Sequence, residues 1–251
     1  MVGINIEALR FARAVQLVAN AEALVKDQQL PGALLLYVTA LEMIGWEVNL
    51  PLGIEEFGLQ HKIRDKHRLR HFSAAALFVA DCLLVLSNGV VTEVDFKRLT
   101  FERRPRATDQ EPGVDWAPKA STQFMSILVA MVSPHFRLGG VNQESPQYIA
   151  TMNLQVGMNV LGNAALGFLD NHRLALIHED NAFNFVQYHA NEPHSAGRLP
   201  LMPTTVVNYM NLLPRIIESA KNPAGVKLLG HHLRNMIISF KAPLIEKSYY
   251  R

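Results

Sequence analysis

Through most of this chain apolar residues recur three and four positions apart rather than in alternation, and that period admits helices and little else. Leu9, Ala12, Leu17, Ala21 and Leu24 mark a first amphipathic helix over residues 4–26. Gln28-Gln-Leu-Pro-Gly32 punctuates it. Pro31 suits a helix first turn, and a second helix follows over 33–48 until Pro51 and Gly53. The short connection predicts an antiparallel hairpin of the two. A third helical region spans 54–86, polar and cationic in its first half and strongly apolar in its second, so that one end is exposed and the other buried. Asn88-Gly89 supplies its C-cap.

Beyond that point the pattern breaks. Residues 90–120 carry Pro105, Pro112, Gly113 and Pro118 without a sustained period, which predicts a long loop with a short extended piece at 90–96. Helical patterns resume at 123–132 and 147–169, where Gly157, Gly162 and Gly167 mark places for another helix to approach closely. A second loop covers 191–203, and 205–220 with 225–240 make a final helical pair. The expected fold is all-α: a helical bundle over residues 1–120, with the helices of 121–251 packed on the same core.

A hydrophobic fraction of 49% over 251 residues supplies ample material for that core and excludes a disordered chain. The one cysteine, Cys82, falls in the apolar run 74–86, the setting of a buried structural thiol; no disulfide can form within the chain, which suits a reducing compartment. The N-terminus lacks the basic start, unbroken apolar segment and cleavage site of a secretory signal. The longest apolar run, 72–86, is interrupted by Ser73 and Asp81 and falls short of the roughly 20 residues of a membrane span. These features point to a soluble, cytoplasmic protein without a membrane partner. A formal charge of +2 does not announce nucleic-acid binding, but the cations concentrate at 61–71 and 97–106.

The stretch His61-Lys-Ile-Arg-Asp-Lys-His-Arg-Leu-Arg-His71 carries the chemistry. On a continuous helix at about 100° per residue, His61, Arg64, His67, Arg68 and His71 fall in one wedge about 120° wide. Neighbouring cations lower a histidine's pKa and keep imidazole available as a base, while arginine stays charged. Cleavage of RNA by its own 2′-hydroxyl needs a base, an acid and positive charge on the phosphorane between them, and His with Arg supplies all three without a metal. Arg64 and Arg68 would repel a divalent cation, and no carboxylate completes a triad, so neither a metal nor another cofactor is expected. The bland alternative is a solvated basic face.

Arg64-Asp65-Lys66 followed by His71-Phe72 resembles the ribonuclease signature of the HEPN superfamily, an Arg with a His four to six residues further on. Residues 33–45, Ala33-Leu-Leu-Leu-Tyr-Val-Thr-Ala-Leu-Glu-Met-Ile-Gly45, resemble the Ala-Leu-Glu-Glu-Ile-Gly-Lys helix of the AbiV abortive-infection branch, and His67-Arg-Leu-Arg70 resembles its His-Lys-x-Lys segment. Met43 and Trp46 stand where that branch has Glu and Lys, and residues 140–251 match nothing in it. The resemblance implies that Arg64 and His71 are the catalytic pair, with His67 the alternative imidazole, Asp65 orienting them and Glu42 a buried polar partner. His61, Lys62, Arg68 and Arg70 would contact RNA, single-stranded by preference. It also implies a homodimer in which two such faces meet over one strand, with a phage protein as a possible trigger.

Arg173 and His178 also satisfy the Arg-to-His spacing, although apolar residues separate them, as a partly buried helix would require. His231-His232 is a weaker candidate, and Gly139-Gly-Val-Asn-Gln-Glu144 lacks the spacing of a nucleotide loop. Two functions remain open at this point: a metal-independent endoribonuclease of abortive infection, and a non-catalytic module that binds RNA or a phage protein through the same face.

Overall fold

In the computed structural model the chain is described over residues 6–86, 99–105, 114–120, scattered positions from 149 to 165, 167–178, 203–221 and most positions from 230 to 245. Helix dominates these residues, as the apolar period requires: α1 (Ile6–Lys26), α2 (Leu30–Leu52), α3 (Ile54–Gln60), α4 (Lys66–Leu86), α5 (Phe168–His178), α6 (Pro203–Lys221) and α7 (Lys241–Ile245). Helical residues at 149–165 and 233–238 extend the bundle. The fold is all-α.

The axis of the bundle is α2. Leu34, Val38, Leu41, Gly45 and Val48 form one buried stripe and Tyr37, Ala40, Ile44 and Glu47 a second beside it, so two faces of the helix are covered at once. Helices α1, α4, α5 and α6 all pack on it. By length and composition α2 could cross a membrane, but most of its apolar window lies inside the protein. Pro31 stands in its first turn as expected. The helix runs on to Leu52 with Pro51 inside it, and ends where Gly53, at φ +58°, turns its N–H back to the carbonyls of Asn49 and Leu50.

Helix α4 is buried almost without interruption from Leu69 to Ala80. Its small residues Ser73, Ala74, Ala75 and Ala76 allow close packing, and Ser73 Oγ donates to the Leu69 carbonyl at 2.9 Å. Cys82 is buried as expected, and burial pushes its thiol up to about 12, followed by the nearby Asp81 carboxylate. Gly157 is a close approach of the kind its sequence position suggests, since a Cβ there would lie 2.9 Å from Phe78 of α4.

Two expectations are corrected. The region 54–86 is not one helix: α3 ends at Gln60 with His61 as its C-cap, Lys62 takes a left-handed φ of +68°, and α4 begins only at Lys66. Ile63 causes the break by turning into the core, its N–H bonded to the Gly58 carbonyl at 2.9 Å. The region 90–120 holds an antiparallel ribbon rather than a loop throughout, with β1 (Leu99–Pro105) paired to β2 (Val114–Ala120) in the register Leu99 to Ala120 through Pro105 to Val114. A two-stranded ribbon needs turn chemistry and pairing but no sustained apolar period, and Pro112-Gly113 supplies the punctuation just before β2. The extended piece at 90–96, the Asn88-Gly89 cap, the helix at 123–132, the loop at 191–202 and the Gly139–Glu144 stretch lie outside the described residues.

Helices α2 and α4 approach closely at Gly45, where a Cβ would lie 1.8 Å from the Arg70 carbonyl oxygen. Because that neighbour is backbone, a methyl group forces the two helices apart. Gly45→Ala is expected to destabilise the fold by roughly 3 kcal/mol in urea unfolding. Gly32→Ala, whose methyl meets only the flexible end of Leu24 at 3.1 Å, should shift stability by less than about 1 kcal/mol. Equal midpoints for the two variants would contradict this separation of α2 and α4.

Candidate functional site

The contact at Gly45 sets Glu42, one turn earlier on α2, against the first two turns of α4. Glu42 Oε1 lies 2.8 Å from His67 Nδ1 and accepts a hydrogen bond from Arg70 Nη1 at 3.1 Å. Arg70 Nε donates to Glu55 Oε1 of α3 at 2.7 Å, and Lys66 Nζ stands 3.4 Å from Glu55 Oε2. The Arg70 guanidinium also lies over the Trp46 ring, 4.6 Å from its centroid. Burial alone would raise the Glu42 pKa, but the close approach of His67 and the hydrogen bond from Arg70 outweigh burial and hold it below the usual value. Glu55 is likewise lowered, its burial outweighed by Arg70 and Lys66.

Asp65 starts α4. Its Oδ1 accepts the Arg68 backbone N–H at 3.1 Å, the bond of an N-cap residue. The resemblance gives Asp65 an orienting role; in the structure its carboxylate caps the helix. Because α4 begins after it, His61 and Arg64 are not on the helix face of His67, Arg68 and His71, so the five-residue wedge is corrected to three. His61 is the C-cap of α3 with its ring 4.5 Å from that of Phe57, while Lys62 and Arg64 are exposed in the connection.

Within α4, His71 lies about 40° from His67 and Arg68 about 100° from it, so His71 falls between the other two and one turn further in. That wedge faces the seam where α2 and α5 meet α4. Arg68 is 4% exposed, and its Nη2 donates to the Ala165 carbonyl at 2.5 Å. Gly167, at φ +81°, passes so close that a Cβ would lie 3.0 Å from Arg68 Nε, a place and a backbone conformation that suit glycine. Burial lowers the Arg68 pKa against the opposing effect of Asp65 and Asp170. His71 is 0% exposed, and neither ring nitrogen has a hydrogen-bond partner among the described residues. Burial drives its pKa down to about 4, against the pull of Glu42 and Asp170 and with the help of His67 and Arg173. The exposed, polar first half expected of this helix is therefore corrected: His71 and Arg68 are interior, and Arg70 is committed to two carboxylates, leaving His67, at 43% side-chain exposure, as the imidazole of α4 open to solvent.

No protein-family model, curated protein or solved structure matches this chain. The resemblance to the HEPN superfamily accordingly rests on its short motifs alone.

Arg173 of the competing motif lies at the same seam, close enough for its charge to act on His71. Arg173 Nε and Nη2 both donate to Asp170 Oδ1, at 3.0 and 2.8 Å, so its guanidinium is occupied within α5, while the side chains of His178, His231 and His232 lie outside the described residues. Among the described residues no cluster of three metal-ligating side chains occurs. Glu55 and Asp170 join the site without belonging to any motif in the sequence, and Trp46 joins it from a position where the chain departs from the motif it resembles. The Asp170–Arg173 spacing is readable as an i,i+3 pair, whereas nothing linear links Glu55 to Arg70.

The buried His71 makes the fold acid-sensitive. Its folded pKa lies below the ordinary value of 6.5, so the folded state binds fewer protons than the unfolded one; the associated stability is complete above about pH 6.5 and is lost as pH falls towards 4. The loss should amount to roughly 3 kcal/mol. His71→Leu should remove this acid-side slope in urea titrations at pH 7 to 4 while changing stability little at pH 7, because no hydrogen bond to a described residue is lost. An unchanged slope would show that His71 is not the responsible group.

Proposed function

We propose that this protein is a metal-independent endoribonuclease of the HEPN type, acting in antiphage abortive infection, with His67 rather than His71 as its proton-transfer residue. The observation that carries the reading is the Glu42–His67 contact: a carboxylate with a lowered pKa, 2.8 Å from Nδ1 of a histidine whose ring reaches solvent, a close charge contact whose angle falls short of a hydrogen bond. A carboxylate at that distance favours a proton on Nδ1 and leaves Nε2 as the basic atom. Imidazole is the side chain best suited to move protons near neutral pH. In the reaction Nε2 takes the 2′-hydroxyl proton, the 2′-oxygen attacks phosphorus, and the bond to the 5′-oxygen breaks as that oxygen is protonated. The products are a 2′,3′-cyclic phosphate and a 5′-hydroxyl end. Exposed Arg64 and Lys66 supply positive charge beside His67 in sequence. A second copy of the chain, facing the first across one RNA strand, would bring a second His67 as the acid. The antiphage role rests on the resemblance at residues 33–45 and 67–70.

One observation favours the second reading, a non-catalytic module binding RNA or a phage protein. His71, the histidine that completes the Arg-to-His signature, is sealed in the core.

Labelled single-stranded RNA incubated with the pure protein in EDTA separates the two. The enzyme yields ends carrying 2′,3′-cyclic phosphate; His67→Ala lowers the rate by about 10²- to 10⁴-fold, and His71→Leu cleaves at the wild-type rate. Intact RNA at high protein concentration, or cleavage indifferent to His67→Ala, would remove the ribonuclease reading.

A further inference from the structure

Trp46 belongs to this site but takes no part in the proton transfer proposed for it. It stands one turn from Glu42 on α2, a helix whose other aromatic side chain, Tyr37, is fully buried, yet Trp46 is 37% exposed. Its ring is held in place: Arg70 lies 4.6 Å from the centroid, and Arg70 is itself fixed by Glu42 and Glu55. The same Glu42 oxygen that receives Arg70 is in contact with His67 Nδ1, so indole, guanidinium, carboxylate and imidazole form one continuous chain of contacts. The exposed cations Lys62, Arg64 and Lys66 belong to the connection and first turn that carry His67. Through Glu55 the same contacts run from Arg70 on to exposed Lys66. A partly exposed aromatic ring with cations beside it is the arrangement by which proteins hold single-stranded nucleic acid, the ring stacking on a base and the cations meeting phosphates.

We propose that Trp46 is a stacking platform for one unpaired base of single-stranded RNA, holding the strand beside His67. The inference rests on the RNA-directed reading of this site and extends it to the substrate: the recognised nucleotide is unstacked, so duplex RNA is excluded. Trp46 is a positioning residue. Stacking fixes the strand without touching the reacting phosphate, so losing it weakens binding and raises KM with little change in kcat.

Binding is measured apart from cleavage with a 2′-O-methyl RNA hexanucleotide, which lacks the attacking hydroxyl. Trp116→Phe leaves Trp46 the one tryptophan of the chain, so its fluorescence reports on stacking directly. The oligonucleotide should quench that fluorescence. Trp46→Leu should weaken binding about 10- to 100-fold, while Trp46→Phe, which keeps an aromatic face, should lose much less. A hexanucleotide with abasic sites should bind the wild-type protein as weakly as the intact one binds Trp46→Leu. Circular dichroism of both variants separates misfolding from lost stacking, and the Phe variant keeps the test alive if the Leu variant does not fold. Wild-type affinity in Trp46→Leu, or no quenching, would overturn the proposal. Leu50, exposed one turn further along α2, makes self-association the competing role; a switch from dimer to monomer in Trp46→Leu with RNA affinity intact would assign the patch to a second copy and equally overturn it. Trp46-dependent binding without cleavage of unmodified RNA would uphold the platform and remove the ribonuclease. Cleavage with Trp46-independent binding would do the reverse.

Discussion

The near contact of Gly45 with the Arg70 carbonyl governs the geometry of everything around it. With hydrogen in place of a side chain on α2, the backbone of α4 comes close enough for Glu42 to reach both His67 and Arg70. A larger residue at position 45 would open that seam, and the carboxylate would lose its two partners together. The polar site is thus a consequence of a packing contact, since polar contacts of this length require backbones already fixed by the core.

Two further devices set the rotation of α4. Ile63 pulls the chain into the core between α3 and α4, and Asp65 caps the new helix at Arg68. From that starting point the helical period turns His67 to the rim beside Glu42, Arg68 toward the turn before α5, and His71 into the interior between them. Charges on α4 therefore divide into an outer set, paired with Glu42 and Glu55 and open to solvent at His67 and Lys66, and an inner set that ends at Arg68 and His71. The buried imidazole of His71 is tolerated because it is neutral there, which is the state that its depressed pKa describes.

Glu42 is recognisable in the sequence as a polar residue on an apolar helix, and so are α1, α2, α6 and the burial of Cys82, because periodicity reports which side of a helix meets the core. The break at residues 61–65 has signals that a longer pattern hides: Gly58, and an Asp immediately before a new helical run. The same Asp65 reads equally well as part of an Arg-Asp motif, and one letter cannot say whether its carboxylate caps a helix or orients a catalytic group. The ribbon at 99–120 escapes a sequence reading for a different reason, since two paired strands leave no apolar period to detect.

The sequence by itself determined the helical class, the hairpin of α1 and α2, the apolar character that makes α2 a core helix, and the gathering of Arg and His in one short segment, because all of these follow from local spacing and composition. Only the tertiary structure decided which of those charged side chains meet solvent. Exposure depends on where other helices lie: α2 brings Glu42 to His67, the turn at Gly167 covers Arg68, and α3 delivers Glu55 to Arg70 from fifteen residues away. No property of residues 61–71 taken alone distinguishes His67 from His71; the neighbours across the seam do.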